Sequence, residues 1–281
     1  MYRLARQQDL IRLKMEGPGD LVHPRHHWGL KHMGYLFVVD RFWGPIVAPT
    51  KEDEDLNHAS DGKVSTRILE VGAGLSLVFY PLAENRAEYW IADKAGFYDE
   101  RRYEEARRSR SKAKMVDSLM GENNPELPDS YFDLVFSVSV LEHIPKDALS
   151  SAVADMHRIL KPNGLFLHSL DLKRGKEAFE AEFRAQVERV GFEWLEPPQP
   201  IDFTVDGLLF EPLDIVFEYY DKREEMQYKL RAVGAHTGTV LVGARKRSTS
   251  DPGSIDPAIA GSAESGSAKI DFWRRLFRRG S

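Results

Sequence analysis

The chain has 281 residues, enough for one α/β domain with appendages, and its 42% hydrophobic and 30% charged content excludes a wholly disordered chain. A net charge of -5 argues against a general polyanion binder, because affinity for nucleic acid comes from cations that displace phosphate counterions, so no nucleic-acid partner is expected. The absence of cysteine removes disulfides, thiolate metal sites and a cysteine nucleophile.

In chain order, residues 1–62 read as an amino-terminal cap whose Trp28, Tyr35, Phe42 and Trp43 are candidate elements of the substrate pocket. Met1 to Met15 lacks the continuous apolar run of a secretory signal, and Tyr35 to Pro49 is broken by Asp40 and Arg41 and is too short to span a bilayer. The expected location is therefore cytoplasmic. The cap's His23, His26, His27 and His32 fall on no single face and have no interleaved carboxylate, so they are not read as metal ligands. The cap closes in the polar run Lys51 to Gly62, a surface connection into the first core strand.

From residue 63 to 246, short apolar runs alternate with helical patterns. The strand candidates are Ile68 to Val71, Tyr89 to Ala92, Leu134 to Val138, Leu165 to Leu170, Phe192 to Leu195 and Thr237 to Ala244. Between them, Leu75 to Asn85, Phe97 to Lys112, Lys146 to Leu160 and Lys176 to Val190 have the length of crossover helices, with Pro162-Asn163-Gly164 stopping the third. The Arg- and Glu-rich run from Glu100 to Lys114 reads as a solvated helix face. Strand, helix, strand in repetition predicts an α/β fold: a Rossmann-like, mostly parallel seven-stranded sheet with helices on both faces, an amino-terminal cap and a flexible carboxyl-terminal tail.

A substrate-side insertion is expected at 197–236, between the last two strands and rich in aromatics. Residues 247–269 are a Ser-, Gly-, Ala- and Pro-rich linker that buries too little to repay ordering. Residues 270–281 form a basic amphipathic helix, with Phe272, Trp273, Leu276 and Phe277 on one arc and four arginines opposite. That pattern suits an anionic membrane surface, here the inner face of the membrane, or an acidic partner groove, and equally docking on the chain's own domain.

The chemistry concentrates at Ile68-Leu-Glu-Val-Gly-Ala-Gly-Leu-Ser76, a strand, a glycine turn and an amphipathic segment. Glycines at 72 and 74 let the backbone turn tightly and approach a ligand with no Cβ between. A dinucleotide fingerprint needs a third small residue where Leu77 stands, which disfavours pyrophosphate. About 20 residues after the turn, Asp93 closes the second strand, where a carboxylate can accept both ribose hydroxyls or cap the following helix.

Five segments in order resemble class I S-adenosylmethionine-dependent methyltransferases of the small-molecule, type 11-like group: Ile68 to Gly74; Tyr89 to Asp93; Met115-Val-Asp117; Leu127 to Ser137 with Leu141-Glu-His-Ile144; and Arg158 to Gly164. The resemblance implies S-adenosyl-L-methionine as cofactor and methyl transfer to a small-molecule or glycan- or lipid-linked acceptor. It also implies that Gly72, Ala73 and Gly74 cradle the methionine part with Glu70 in support, and that Asp93 holds the ribose. By the same resemblance Asp117, Ser118 and Leu119 surround the adenine, and Ser137 lies near the methionine amine.

A related group of O-methyltransferases holds a metal with Glu-x-x-Glu-His, but Ser139 replaces the first glutamate here, so no metal is expected. His143, His168 and Asp171 are the candidate catalytic groups, His168 and Asp171 because open α/β sheets bind ligands at the carboxyl ends of their strands. Two other readings of the same turn are an NAD(P)-dependent oxidoreductase and a non-enzymatic, membrane-tethered protein that keeps the fold.

Overall fold

Period-two alternation builds the centre of the molecule, because successive strand side chains point to opposite faces. The computed structural model describes residues 1–6, 8–9, 12–13, 29–47, 66–74, 76, 79–84, 86–173, 177–203 and 237–248. Its strands are β1 (Tyr2–Leu4), β2 (Arg67–Val71), β3 (Glu88–Asp93), β4 (Lys114–Asp117), β5 (Phe132–Val138), β6 (Leu160–Lys173), β7 (Phe192–Trp194) and β8 (Thr237–Lys246). Its helices are α1 (Gly29–Val47), α2 (Tyr80–Ala83), α3 (Glu100–Ser109), α4 (Lys146–Ile159) and α5 (Glu177–Arg189).

The strands form one eight-stranded sheet in the order β1-β8-β6-β5-β2-β3-β4, with β7 added on β8. The run from β6 to β4 is parallel, whereas β8 is antiparallel to β6, β1 and β7. Two apolar layers cover it. Ile68, Tyr89, Ile91, Leu134 and Phe136 pack on one face with Leu36 and Val38 of α1. Leu69, Trp90, Val135 and Phe166 pack on the other with Leu149, Val153 and Met156 of α4 and with Phe183 and Val187 of α5. This is a Rossmann-like, mostly parallel α/β sheet with helices on both faces.

It differs from the sequence reading in four places. The sheet has eight strands because β1, only three residues long, joins β8 at the edge, and the Met1 amino group donates to the Gly243 carbonyl at 2.5 Å. The described part of residues 1–62 thus belongs to the sheet and its core: α1 lies so close over β5 and β6 that a Cβ on Gly34 would stand 2.2 Å from Ser169 Oγ. Between β2 and β3 the described helix is a single turn with Pro81 near its start, although Leu75 to Asn85 has helical spacing. The third crossover helix ends at Ile159, before the Pro-Asn-Gly signal. Pairing of β6 with β5 begins at Leu160 opposite Phe132 and resumes at Leu165 opposite Leu134, so that signal is a bulge with Asn163 at φ 65°.

Residues 204–236, the tail from 249 onward, His23, His26, His27, Trp28 and Leu77 lie outside the described residues. Among the described residues no helix is long and apolar enough to cross a membrane.

Candidate active site

Strand order reverses between β2 and β5: β3 and β4 follow β2 on one side, and β5 and β6 lie on the other. In open α/β sheets ligands sit in the crevice at such a switch point, beyond the carboxyl ends of the strands. A cavity of about 300 Å³ lies there, at the lower end of the range for small-molecule sites. Gly72, Ala73 and Gly74 line it after β2, Asp93 after β3, Ser118, Leu119 and Met120 after β4, and Val138, Ser139, Val140 and Ile144 after β5. Lys31 and Tyr35 of α1 and Tyr98 complete it.

The turn depends on its glycines. Gly72 and Gly74 stand at φ 68° and 57°, and a Cβ on Gly72 would meet both Val140 methyls at 2.8 Å. Asp93, 5% exposed, accepts from the Gly74 amide at 2.6 Å, the Lys94 amide at 2.8 Å and the Tyr98 hydroxyl at 3.1 and 3.2 Å. Burial raises its pKa, and these donors oppose the rise.

Two buried groups brace the turn from beneath. Glu70 accepts from the Tyr35 hydroxyl at 3.2 Å and from the Tyr89 hydroxyl, and Tyr35 also donates to Ser76 Oγ at 2.9 Å. Burial lifts the Glu70 pKa to about 7. Arg110, 1% exposed, donates to the Gly74 carbonyl at 3.0 Å and to the Ser76 carbonyl. Arg110 was hidden within a run that reads as a solvated face. The only local sign of burial is its place just past the end of α3, where an arginine can reach back beneath the preceding loop.

The predicted residues separate into two groups. Gly72, Ala73, Gly74, Asp93, Ser118 and Leu119 converge on the cavity. Glu70 lies behind it, as a support. Asp117 is not among the lining residues: its side chain is 65% exposed, because β4 alternates outward there, and it accepts the Ala95 amide at 3.2 Å. Ser137 and His168 are paired across β5 and β6, fully buried, with Ser137 Oγ 2.7 Å from His168 Nδ1. The serine that reaches the cavity is Ser139, which follows the last residue of β5 at φ 55°. The His168 ring centroid lies 3.9 Å from that of Phe166, burial lowers its pKa to about 3, and it is not among the residues that line the cavity where a general base was expected.

His143 is 43% exposed on the short helical turn after β5 and does not line the cavity. Asp171 is half-buried beside Glu142, whose Oε1 accepts the Asp171 amide at 3.0 Å. Among the described residues no group of three or more His, Asp or Glu is arranged to hold a metal. Tyr35 was expected among the cap's substrate-side aromatics and does line the cavity, whereas Lys31 and Tyr98 were not foreseen as site residues. Lys31 and Tyr35 sit four residues apart on α1, and Tyr98 is five residues beyond Asp93, spacings that single out no ligand by themselves.

A parallel sheet with a glycine turn at the switch point, an acid after the next strand and an apolar wall after the third is the arrangement expected from the sequence's resemblance to class I S-adenosylmethionine-dependent methyltransferases. Residues 69–168 match a family model described as a methyltransferase domain, so the chain carries such a domain and is a methyltransferase. Among solved structures, an S-adenosylmethionine dependent methyltransferase from Mesorhizobium loti is similar at 18% identity over 70% of this chain and 98% of that one, with a TM-score of 0.44. A TehB-like SAM-dependent methyltransferase from Corynebacterium glutamicum is similar at 16% identity over 75% and 96%, with a TM-score of 0.42. Phosphoethanolamine N-methyltransferase 2 of Haemonchus contortus, solved with S-adenosyl-L-methionine, is similar at 14% identity over 69% and 51%, with a TM-score of 0.44. No curated protein sequence matches the chain.

Proposed function

We propose that this cavity binds S-adenosyl-L-methionine and that the chain transfers its methyl group to a small-molecule or glycan- or lipid-linked acceptor. The observation that carries the reading is the convergence of the Gly72 to Gly74 turn and the Asp93 carboxylate on one hollow. The residues fit the cofactor: a Cβ on Gly72 would clash with Val140, the acid can accept hydroxyl hydrogens, and Leu119, Met120, Val140 and Ile144 supply apolar surface for a purine. When bound, the cofactor supplies a sulfonium methyl that is already activated, so the protein's part is alignment and exclusion of water. Gly72 and Gly74 would hold its amino-acid part through the backbone, Asp93 the ribose, and Ser118 and Leu119 the base. Lys31, Tyr35 and Ser139, on the α1 and β5 side, face the acceptor. Residues 270–281 are proposed to attach the enzyme weakly to an anionic surface.

Calorimetry with S-adenosylmethionine, S-adenosylhomocysteine and NAD tests this reading. Binding of the first two and not the third is expected. Asp93→Ala should weaken S-adenosylhomocysteine about 100-fold, since a buried carboxylate accepting hydroxyls is worth about 3 kcal/mol. A folded chain that ignores S-adenosylmethionine, or a variant with unchanged affinity, overturns it.

A further inference from the structure

Behind the α1 side of the cavity lie Ser139, Glu142, Ser169, Asp171 and Thr239, with the Ser139 and Thr239 hydroxyls set against the Asp171 carboxyl and with Glu142 Oε2 and Ser169 Oγ buried without a hydrogen-bond partner. Fold contacts bring them together. The Ser139 amide donates to the Ser169 carbonyl at 2.9 Å, the Asp171 amide to Glu142 Oε1 at 3.0 Å, and Asp171 stands opposite Thr239 in the β6 and β8 register. Solvent is largely excluded: Ser169 and Thr239 are 0% exposed, Ser139 is 8%, the Glu142 side chain 6%, and Asp171 is half-buried with its Oδ1 covered. Buried polar atoms are nearly always paired, and each unpaired one carries a desolvation cost, so Glu142 Oε2, set beside a second carboxyl, asks for a donor.

The chemistry of that ligand follows from what the cluster lacks. The three hydroxyls can each give one hydrogen, and Ser139 and Thr239 are near enough to stabilise ionised Asp171. After that the cluster still has more acceptors than donors. Its charge is also unbalanced: two carboxyls face one cation, Lys31, whose charge acts on both. Burial, with Asp171 beside it, holds the Glu142 pKa up at about 8, as expected of like charges that cannot both ionise in a dry site. Ser139 and Lys31 both line the cavity, so the cluster opens onto it.

We propose that Glu142, Asp171 and Ser139 form the acceptor subsite of this methyltransferase and that it takes a primary or secondary amine. The proposal rests on the methyl-transfer reading and narrows its acceptor. An ammonium brings only donors and one positive charge, which is what the cluster is short of, whereas an alcohol brings acceptors as well. Binding of the ammonium displaces the proton that Glu142 and Asp171 share; one N–H proton can then pass to Glu142 Oε2, leaving the nitrogen lone pair free at the cavity wall, and that proton returns to solvent when the product leaves.

The test uses the full chain saturated with S-adenosylhomocysteine, titrated with n-butylammonium chloride or n-butanol. The amine should bind about tenfold or more tightly than the alcohol, the difference expected for a hydrogen-bonded charge over a neutral donor. Its binding heat should change between buffers of different ionisation enthalpy, because binding displaces the shared proton. Glu142→Gln and Asp171→Asn should each lose roughly tenfold in amine affinity while S-adenosylhomocysteine affinity holds within about twofold. If either variant fails to fold, Lys31→Met decides: removing the competing cation should tighten the amine several-fold. Equal binding of butanol, weaker amine binding in Lys31→Met, or occupation by Mg²⁺ that butylammonium does not displace overturns the proposal. A chain that does not bind S-adenosylhomocysteine overturns the methyltransferase reading itself, a separate failure.

Discussion

The Tyr98 hydroxyl stands 3.1 Å from one carboxylate oxygen of Asp93 and 3.2 Å from the other. With the Gly74 and Lys94 amides also donating, the acid is fully served before any ribose arrives. A ribose must take over the positions Tyr98 holds, so the tyrosine competes with the cofactor while it stabilises the empty pocket. The ring is kept in place by stacking on Tyr103, with centroids 5.6 Å apart. Tyr98→Phe should therefore destabilise the ligand-free protein by about 1.5 to 3 kcal/mol, the worth of a hydrogen bond to a charged group. The same change should bind S-adenosylhomocysteine several-fold more tightly. Thermal shift with and without the ligand reads both, and a variant that loses affinity would make Tyr98 a cofactor contact instead.

Gly72 and Gly74 share a left-handed backbone but not the same surroundings. A Cβ at 72 meets the branched Val140 side chain at 2.8 Å, while one at 74 meets the tip of Tyr98 at 3.2 Å, which can give way. Gly72→Ala should cost about 1 to 3 kcal/mol of strain and clash and abolish S-adenosylhomocysteine binding. Gly74→Ala carries a backbone penalty of about 1 kcal/mol and should retain weakened binding. Paired melting and calorimetry distinguish them, and equal effects at the two positions would contradict the geometry.

These two positions also mark how far sequence reasoning reaches. Gly72 to Gly74, Asp93, Ser118 and Leu119 are legible because each closes a strand, and strand ends in a parallel sheet share one edge. The error at Ser137 has a local cause: β5 runs to Val138, and only the left-handed turn at Ser139 swings a serine into the cavity. Lys31 could not be read, since nothing within α1 says which sheet edge it crosses. Arg110 was misread because burial of a charge depends on carbonyls 34 and 36 residues away in the chain. His168 followed the correct strand but lies short of its end, with its ring against Phe166 in the apolar layer and its Nδ1 paired with Ser137.

Acid should find a specific weak point at His157. Burial, with Lys246 nearby, lowers its pKa from 6.5 to about 4, and its ring meets Phe192 edge-on at 5.0 Å. Between those values the unfolded chain binds a proton that the folded chain refuses. Stability is therefore full above pH 6.5 and falls as pH drops toward 4, by at most about 3 kcal/mol before solvent screening reduces it. His157→Gln should melt lower than wild type at pH 8, having lost the ring contact, and the gap should close or invert near pH 4.5. A gap that stays constant across that range would remove the proton from the account.

The strand that escaped the sequence reading gives a test of the fold itself. Tyr2 is 0% exposed, 5.8 Å from the Trp194 ring and 6.2 Å from the Phe183 ring, and its hydroxyl has no partner. Burial keeps that hydroxyl protonated, so it carries a desolvation cost with no return. Tyr2→Phe keeps the ring and drops the orphan oxygen, and should leave stability unchanged or raise it by about 1 kcal/mol. Tyr2→Ala instead opens a cavity under α5 and should cost about 3 to 5 kcal/mol. Because β1 pairs with β8 inside the same sheet, both effects should appear in one cooperative transition of the whole domain, followed by denaturant melts. An alanine variant that melts like wild type, or only sheds a small separate transition, would mean that the amino terminus is an appendage after all.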